Sequence, residues 1–259
     1  MCMTCGCENH DQPSKAQIPG RGIFMPVSET VSVERDLLAK NDSYAARNRA
    51  LLRAQDVLAL NLVSSPGAGK TTLLIRTLQA IAGTVPVAVI EGDQQTRIDA
   101  DRIAATGVPV AQINTGKGCH LDAHQVEHAL ADIKPVPGSV LFIENVGNLV
   151  CPAAFDLGEF CKVVVLSVTE GEDKPLKYPD MFRAAQLMVL TKIDLLPYVS
   201  FSVDRAVEYA RRINPRLEVL TTSATTGSGL DEWLEWLHRA RARPSSQRQA
   251  TADMEAVTA

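Results

Sequence analysis

The chain reads as an α/β protein of the P-loop NTPase kind, with a mainly parallel central sheet and helices on both faces. Three observations carry this. Apolar runs of strand length alternate with stretches of helical period, which means βαβ units. The first run, Val57–Val63, feeds the small-residue loop Ser64-Ser-Pro-Gly-Ala-Gly-Lys-Thr-Thr72, and helical period resumes over Lys70–Ile81. A later run, Phe160–Val168, is apolar almost throughout, as a strand buried on both faces requires.

Strand, tight loop and helix N-terminus together make a phosphate site. Loop N–H groups and the unpaired N–H groups of the first helical turn converge on an anion, and the helix dipole adds to the field. Gly67 and Gly69 admit phosphate oxygens close to the backbone, and Ser65, Ala68 and Gly69 lend amides. Lys70 reaches the β/γ-phosphates, and the hydroxyl of Thr71 or Thr72 ligates Mg²⁺. Ser64 stands where the usual pattern has Gly.

At 259 residues the chain suits one large domain with tails. Its expected organisation is a flexible tail over 1–27, a nucleotide-binding domain over 28–243 and a disordered tail over 244–259. A net charge of −4 argues against a general nucleic-acid or acidic-membrane binder. No apolar run has the length of a membrane span, and the N-terminus lacks the order of a signal peptide, so the cytoplasm is the expected location. Six cysteines there point to metal or redox chemistry rather than disulfides.

Met1-Cys-Met-Thr-Cys-Gly-Cys7 packs three thiols into C-x-x-C-x-C, ahead of a Pro- and Gly-rich stretch to Pro26. Cys2, Cys5 and Cys7 favour a soft or borderline cation such as Zn²⁺, Cu⁺ or Ni²⁺. With the Met1 amine as fourth donor the set suits square-planar Ni²⁺; the alternative is an adventitious cluster at a disordered end. Ser28–Gln55 has helical spacing in Val31, Leu37, Leu38, Tyr44, Leu51 and Leu52, with N-cap candidates at Ser28 and Ser32. That helix is expected to pack on the domain that follows.

After the phosphate loop, Val85–Ile90 is a strand ending in Glu91-Gly-Asp93. Asp93 at a strand's C-terminal end is placed to hold Mg²⁺ directly or through water, or to cap the next helix, Ile98–Ala105. A short strand over Val108–Ile113 follows. Next, Cys119 and His120 adjoin on a Gly-flanked loop before a helix that Asp122 can cap, and His124 and His128 share one face of it. Two ligands do not close a cage, and the nearest partner is Cys151, beyond the strand Ser139–Val146. Without wider context the same residues describe a buried cysteine beside a surface histidine. Glu144, ending the run Val140–Ile143, stands where P-loop enzymes carry an acid that orients Mg²⁺ or the attacking water; otherwise it is an ordinary loop carboxylate.

Gly171–Pro179 is expected to be an exposed loop, and Cys161 to be core. The strand Gln186–Leu190 leads into Thr191-Lys-Ile-Asp194, a form of the guanine-reading [NT]-K-x-D element. The Asp194 carboxylate accepts from the N1–H and 2-amino groups of guanine, a pair that adenine lacks on that edge. The stem of Lys192 covers the base. Ser223 and Ala224, in Thr222–Gly227, fit the loop whose amides meet the guanine oxygen. Gly229–Ala240 is an amphipathic helix.

These strings together, C-x-x-C-G-C, S-S-P-G-A-G-K-T-T, E-G-D, G-K-G-C-H-L-D-A-H, E-N-V-G-N-L-V-C-P and T-K-I-D-L-L-P, closely resemble the HypB family of hydrogenase nickel-incorporation GTPases, of the SIMIBI class. The resemblance spans nearly the whole chain. It implies GTP hydrolysis to GDP and phosphate with Lys70, Asp93 and Glu144 in catalytic roles and Mg²⁺ on Thr71 and Asp93. It implies delivery of nickel to the large subunit of [NiFe]-hydrogenase, a HypA-type metallochaperone partner and a homodimer dependent on GTP and metal. Cys2, Cys5 and Cys7 match that family's high-affinity nickel site. Cys119, His120 and Cys151 match its second nickel or zinc site, with His124 a candidate contributor. Thr191 replaces the usual Asn, which removes one side-chain amide from the base-reading element. A urease-accessory nickel GTPase and a metallochaperone with a structural nucleotide are the competing assignments; the early cysteine motif and G-C-H-L-D-A argue against the first.

Overall fold

A computed structural model describes residues 27–243, with side chains from Arg35 onward. The expectations for Met1, Cys2, Cys5 and Cys7, and for the segment from Pro244, fall outside the described residues. The element order is helix α1 (Val27–Ala54), β1 (Leu58–Ser64), α2 (Lys70–Ile81), β2 (Val87–Asp93), α3 (Ile98–Ala104), β3 (Val110–Asn114), α4 (Ala123–Ile133) and β4 (Val140–Glu144). It continues with α5 (Cys151–Ala154), β5 (Cys161–Ser167), α6 (Lys174–Lys177), α7 (Pro179–Ala184), β6 (Ala185–Thr191), a 3₁₀ turn (Ile193–Tyr198), α8 (Val203–Ile213), β7 (Glu218–Thr221) and α9 (Leu230–Ala242).

The strands form one seven-stranded sheet in the order β3-β2-β4-β1-β5-β6-β7, and every pairing is parallel. Strand alternation splits the core in two. Leu58, Leu60 and Leu62 of β1 join Phe142, Val163 and Val189 against Leu73, Leu74 and Leu78 of α2 and Trp233 of α9. On the opposite face Ala59, Ile90 and Ile143 meet Val126 and Leu130 of α4 and Leu52 of α1, while Val63, Val164 and Leu190 meet Phe182 and Ala210. The inner strands β1, β4 and β5 thus bury both faces, which is why those runs read as almost continuously apolar, while the edge strands β3 and β7 stay partly exposed.

Three expectations are corrected. Ser28 and Ser32 lie inside α1, which starts at Val27, not at its cap. Leu37 and Leu51 of the expected apolar stripe are 58% and 42% exposed. The face α1 buries is Asn41, Ala45, Asn48 and Leu52, and it docks largely by hydrogen bonds. Ala123 N donates to Asn41 Oδ1 at 2.9 Å, and Asn48 Nδ2 donates to the carbonyls of Ala123 at 2.8 Å and Leu157 at 3.1 Å. Gly171–Pro179 is not an open loop but carries α6 and the start of α7, each with Pro in its first turn, where Pro loses no helical hydrogen bond.

Candidate functional site: a phosphate loop beside a thiolate cluster

β1 is central, so the loop after it opens between the C-terminal ends of β4 and β5, the place where open α/β sheets receive ligands. Gly69 holds φ +96° as the residue before α2, a conformation that costs a side chain strain, and a Cβ there would sit 3.7 Å from Lys192 Cε. Lys70 is buried and its Nζ donates to Ser64 Oγ at 2.9 Å. Burial lowers its pKa, and Glu144, Asp99, Glu91 and Glu170 draw it back up. A second cation, Lys174 of α6, docks beside it, 3.0 Å from Ser65 Oγ and 3.2 Å from Glu170 Oε2. No motif in the sequence points to Lys174; only the folded position of α6 brings it here.

Thr71 turns inward while Thr72 is exposed. Thr71 Oγ1 donates to Glu144 Oε1 at 2.6 Å and lies 3.1 Å from Asp99 Oδ2. Burial pushes the Glu144 carboxyl up, against the pull of Lys70 and the hydrogen bond from Thr71, and its Oε2 has no hydrogen-bond partner. Such an orphaned buried oxygen beside a hydroxyl and a second carboxylate suits a small hard cation, and Mg²⁺ fits this donor set. Asp93 faces elsewhere: its Oδ2 accepts from Thr96 N at 2.8 Å and Thr96 Oγ1 at 2.7 Å. Burial alone would raise its carboxyl, but these bonds outweigh it and hold the pKa low. Asp99 was not singled out from sequence, because nothing in Arg97-Ile-Asp-Ala marks which helical carboxylate meets Thr71.

Nothing in the sequence marks a role for Glu91, which opens Glu-Gly-Asp93. It is the register partner of Glu144 on the neighbouring strand, a relation visible only once β2 and β4 are known to pair. Burial, with Glu144, Asp93 and Asp99 adding, raises its pKa from the ordinary 4.5 to about 8. Below 4.5 Glu91 is protonated in folded and unfolded chains alike. As pH rises through that value the unfolded chain ionises while the folded one keeps its proton. Stability therefore falls until the folded group ionises near pH 8, and the loss is complete above it. Glu91→Gln should remove this term, so the nucleotide-free variant should gain on the parent between about pH 5 and about pH 8. Urea midpoints at the two ends of that window check this, and a constant difference would refute it.

The base-reading residues are tied to the phosphate loop. Thr191 Oγ1 donates to the Ala68 carbonyl at 2.6 Å, so the hydroxyl bridges the two loops in place of the missing amide. Lys192 holds φ +59° and its Nζ donates to the Gly67 carbonyl at 2.7 Å. Asp194 opens the 3₁₀ turn, half-buried. Ile193 N donates to the Thr222 carbonyl at 3.3 Å, and buried Ser223 closes its own loop through Ser223 N to Ser228 O at 2.8 Å, beside half-buried Ala224.

Cys119, His120 and Cys151 come together. The two Sγ atoms are 3.0 Å apart, His120 Nδ1 is 3.6 Å from Cys119 Sγ, and the three ligand atoms all lie within 4.8 Å of one another. Burial lowers the His120 pKa, with only Asp122 opposing, and so favours the neutral imidazole a metal needs. Asp122 caps α4, accepting from Gln125 N at 2.8 Å while Gln125 Oε1 accepts from Asp122 N at 3.1 Å, and so fixes where the loop ends. His124 does not join the group; it lies exposed, its Nε2 3.0 Å from that of His128 and its ring against Tyr44.

The model of the CobW/HypB/UreG nucleotide-binding domain matches residues 58–221. A protein of Azotobacter vinelandii described as hydrogenase maturation factor HypB is 58% identical over 250 residues, 95% of this chain and 81% of the relative. The chain belongs to the HypB family of hydrogenase maturation factors. Solved HypB structures carry the same fold. That from Archaeoglobus fulgidus is 39% identical, covers 78% of this chain and 99% of its own, and gives a TM-score of 0.74. HypB from Helicobacter pylori, solved in complex with nickel, is 37% identical, covers 78% and 95%, and gives 0.73. Among the described residues no helix is long and apolar enough to cross a membrane.

Proposed function

We propose that this chain is a GTPase of the cytoplasm that binds nickel and delivers it to the large-subunit precursor of a [NiFe]-hydrogenase, using GTP hydrolysis to change its dimerisation and its hold on metal. One observation carries the reading: Cys119 and His120 on the loop after β3 meet Cys151, which opens α5 at the end of the segment leaving β4, and β4 ends in the Glu144 that touches Thr71 in the first turn of α2. Family membership supports the hydrogenase substrate, and a HypA-type metallochaperone is the partner this reading expects. The H. pylori relative in complex with nickel supports the choice of cargo.

In hydrolysis a water attacks the γ-phosphorus, the bond to the β–γ bridging oxygen breaks, and GDP and phosphate leave. Lys70 and the loop amides neutralise charge on the phosphoryl oxygens. Glu144 and Asp99 orient the Thr71 hydroxyl. Mg²⁺ would be held by Thr71 with Glu144, Asp99 and Asp93 as the acidic donors, and would supply positive charge against the phosphate oxygens. Asp194 and Lys192 select guanine, and Ser223 and Ala224 shape the pocket. Cys2, Cys5 and Cys7, with the Met1 amine, form a separate N-terminal nickel site.

Cys119→Ala tests the cargo assignment. Equilibrium dialysis against Ni²⁺ should show the internal class of site lost and the N-terminal class kept, while removal of residues 1–7 should do the reverse. Unchanged metal stoichiometry in Cys119→Ala, with unchanged relative affinity for GDP and GTP, would sink the reading. Sedimentation with GDP or a non-hydrolysable GTP analogue, each with and without Ni²⁺, tests the dimer; a nucleotide-insensitive monomer would leave a simple metal binder.

A further inference from the structure

The segment leaving β4 does more than carry Cys151. Asn145, directly after Glu144, is buried, and its Oδ1 accepts from Val146 N at 3.0 Å and Leu121 N at 3.1 Å. Leu121 directly follows His120, so one side-chain oxygen joins the two ligand-bearing segments. Asn148 repeats the device. Its Nδ2 donates to the Cys119 carbonyl at 3.2 Å, and its Oδ1 accepts at 2.8 Å from the N–H of Val150, the residue before Cys151.

The orientation of Asn145 is set from behind, by a polar chain through the centre of the sheet. Asn145 Nδ2 donates to Asn61 Oδ1 at 3.2 Å, and Asn61 Nδ2 donates to Glu159 Oε1 at 3.1 Å. Lys162 Nζ lies 3.1 Å from the same oxygen, and Leu157 N donates to Glu159 Oε2 at 2.7 Å. Burial alone would raise the Glu159 carboxyl; Lys162 and Asn61 outweigh it and hold its pKa at about 2. An ionised carboxylate only accepts hydrogen bonds. Asn61 must therefore offer Glu159 its amide N–H and Asn145 its oxygen, and Asn145 is left with its own oxygen facing Leu121 and Val146. Asn61, fully buried in β1, has no other evident use.

Between the two asparagines the backbone rests on the phosphate loop. A Cβ added to Gly147 would lie 3.0 Å from Pro66 Cα and 3.1 Å from Pro66 N. Gly147 thus lies against Pro66 with too little room between them for even a methyl group, so a ligand that displaces one is expected to displace the other.

Resting on the nickel reading above, we propose that Asn145 and Asn148 are positioning residues for the Cys119–His120–Cys151 site, and that Gly147 seated on Pro66 makes their hold depend on what fills the phosphate loop. A displaced 145–148 segment carries the Leu121 N–H and the Cys119 carbonyl with it. The separation of the two thiolates then changes, and with it the affinity for a thiophilic divalent cation.

The test uses the full chain with Cys2, Cys5 and Cys7 replaced by Ser, so that the internal thiols report alone; Cys161 is buried in the core. Ni²⁺ affinity is measured by chelator competition with GDP and with a non-hydrolysable GTP analogue. Without metal, the labelling rate of the internal thiols is measured under the same two nucleotides. Asn148→Ala should weaken Ni²⁺ binding about tenfold or more and bring the ratio between the two nucleotides close to one in both readouts. The Asn148 side chain is partly exposed, so a melting curve near the parent's is expected and serves as the fold control. Asn145→Ala, which removes two acceptor bonds at once, should act in the same direction with a larger loss. Parental nickel affinity and a parental nucleotide ratio in both variants would overturn the inference. A parent that binds no nickel internally would instead overturn the functional reading, and metal-free labelling would still decide the clamp.

Discussion

Lys70→Ala should hydrolyse GTP about 10²- to 10³-fold more slowly than the parent, the loss expected when a preorganised group is removed from where charge develops. Lys70 is held for that task by the Ser64 hydroxyl 2.9 Å away and by the carboxylates around it. Without it Glu144 and Asp99, the acidic groups at Thr71, meet the phosphates with one less compensating charge, so nucleotide binding should weaken as well. Lys174, beside Ser65, does not replace it, because its ammonium is shared with Glu170. Single-turnover phosphate release with enzyme in excess separates the two losses. A rate within about threefold of the parent would mean that Lys70 stabilises the loop and not the transition state.

Asp194→Ala should erase most of the preference for GTP over ATP, a loss on the order of 10³- to 10⁴-fold in discrimination, since a site built around a hydrogen-bonding group strongly rejects a ligand lacking its partner. The surroundings of Asp194 are fixed by other groups. Thr191 bonds to Ala68, Lys192 bonds to Gly67 from a left-handed backbone, and Ile193 bonds to Thr222. The loop should therefore keep its shape in the variant, and the change should appear in competition between the two nucleotides. Retained GTP selectivity would move the base-reading role to the Ser223–Ala224 loop.

The elements that sequence made plain were those whose local signal and tertiary role agree. Lys70–Ile81 is bounded by Gly69 on one side and loses its apolar period on the other, and the helix has those limits. Strand ends were blurred by about two residues, because pairing rather than composition decides where a parallel strand starts and stops; β2 begins at Val87, not Val85. The stripe on α1 was misread for a different reason. Leu52 of the expected stripe is buried, but Leu37 and Leu51 are not, because the helix docks largely through Asn41 and Asn48, whose helical spacing an apolar pattern passes over. In the site, contiguous motifs were legible: the phosphate loop, Cys119–His120, and Thr191–Asp194. Glu91, Asp99, Lys174 and the Asn61–Asn145 contact were not, since each depends on which strand or helix lies beside which.

The order of the strands has a consequence for how the molecule is made. β1, the strand that feeds the phosphate loop, pairs with β4 from Val140 and with β5 from Cys161, and with nothing near it in the chain. A ribosome adding roughly 5–20 residues per second takes on the order of 5 to 20 s to travel from Leu58 to Cys161. Until Val140–Glu144 has been made Leu58–Ser64 has no strand to pair with, and until Cys161–Ser167 follows it keeps one open edge; pairing over such separations is intrinsically slow. The nascent chain should need shielding during that interval, and nucleotide should act late, as a ligand that locks the nearly finished sheet rather than one that nucleates it.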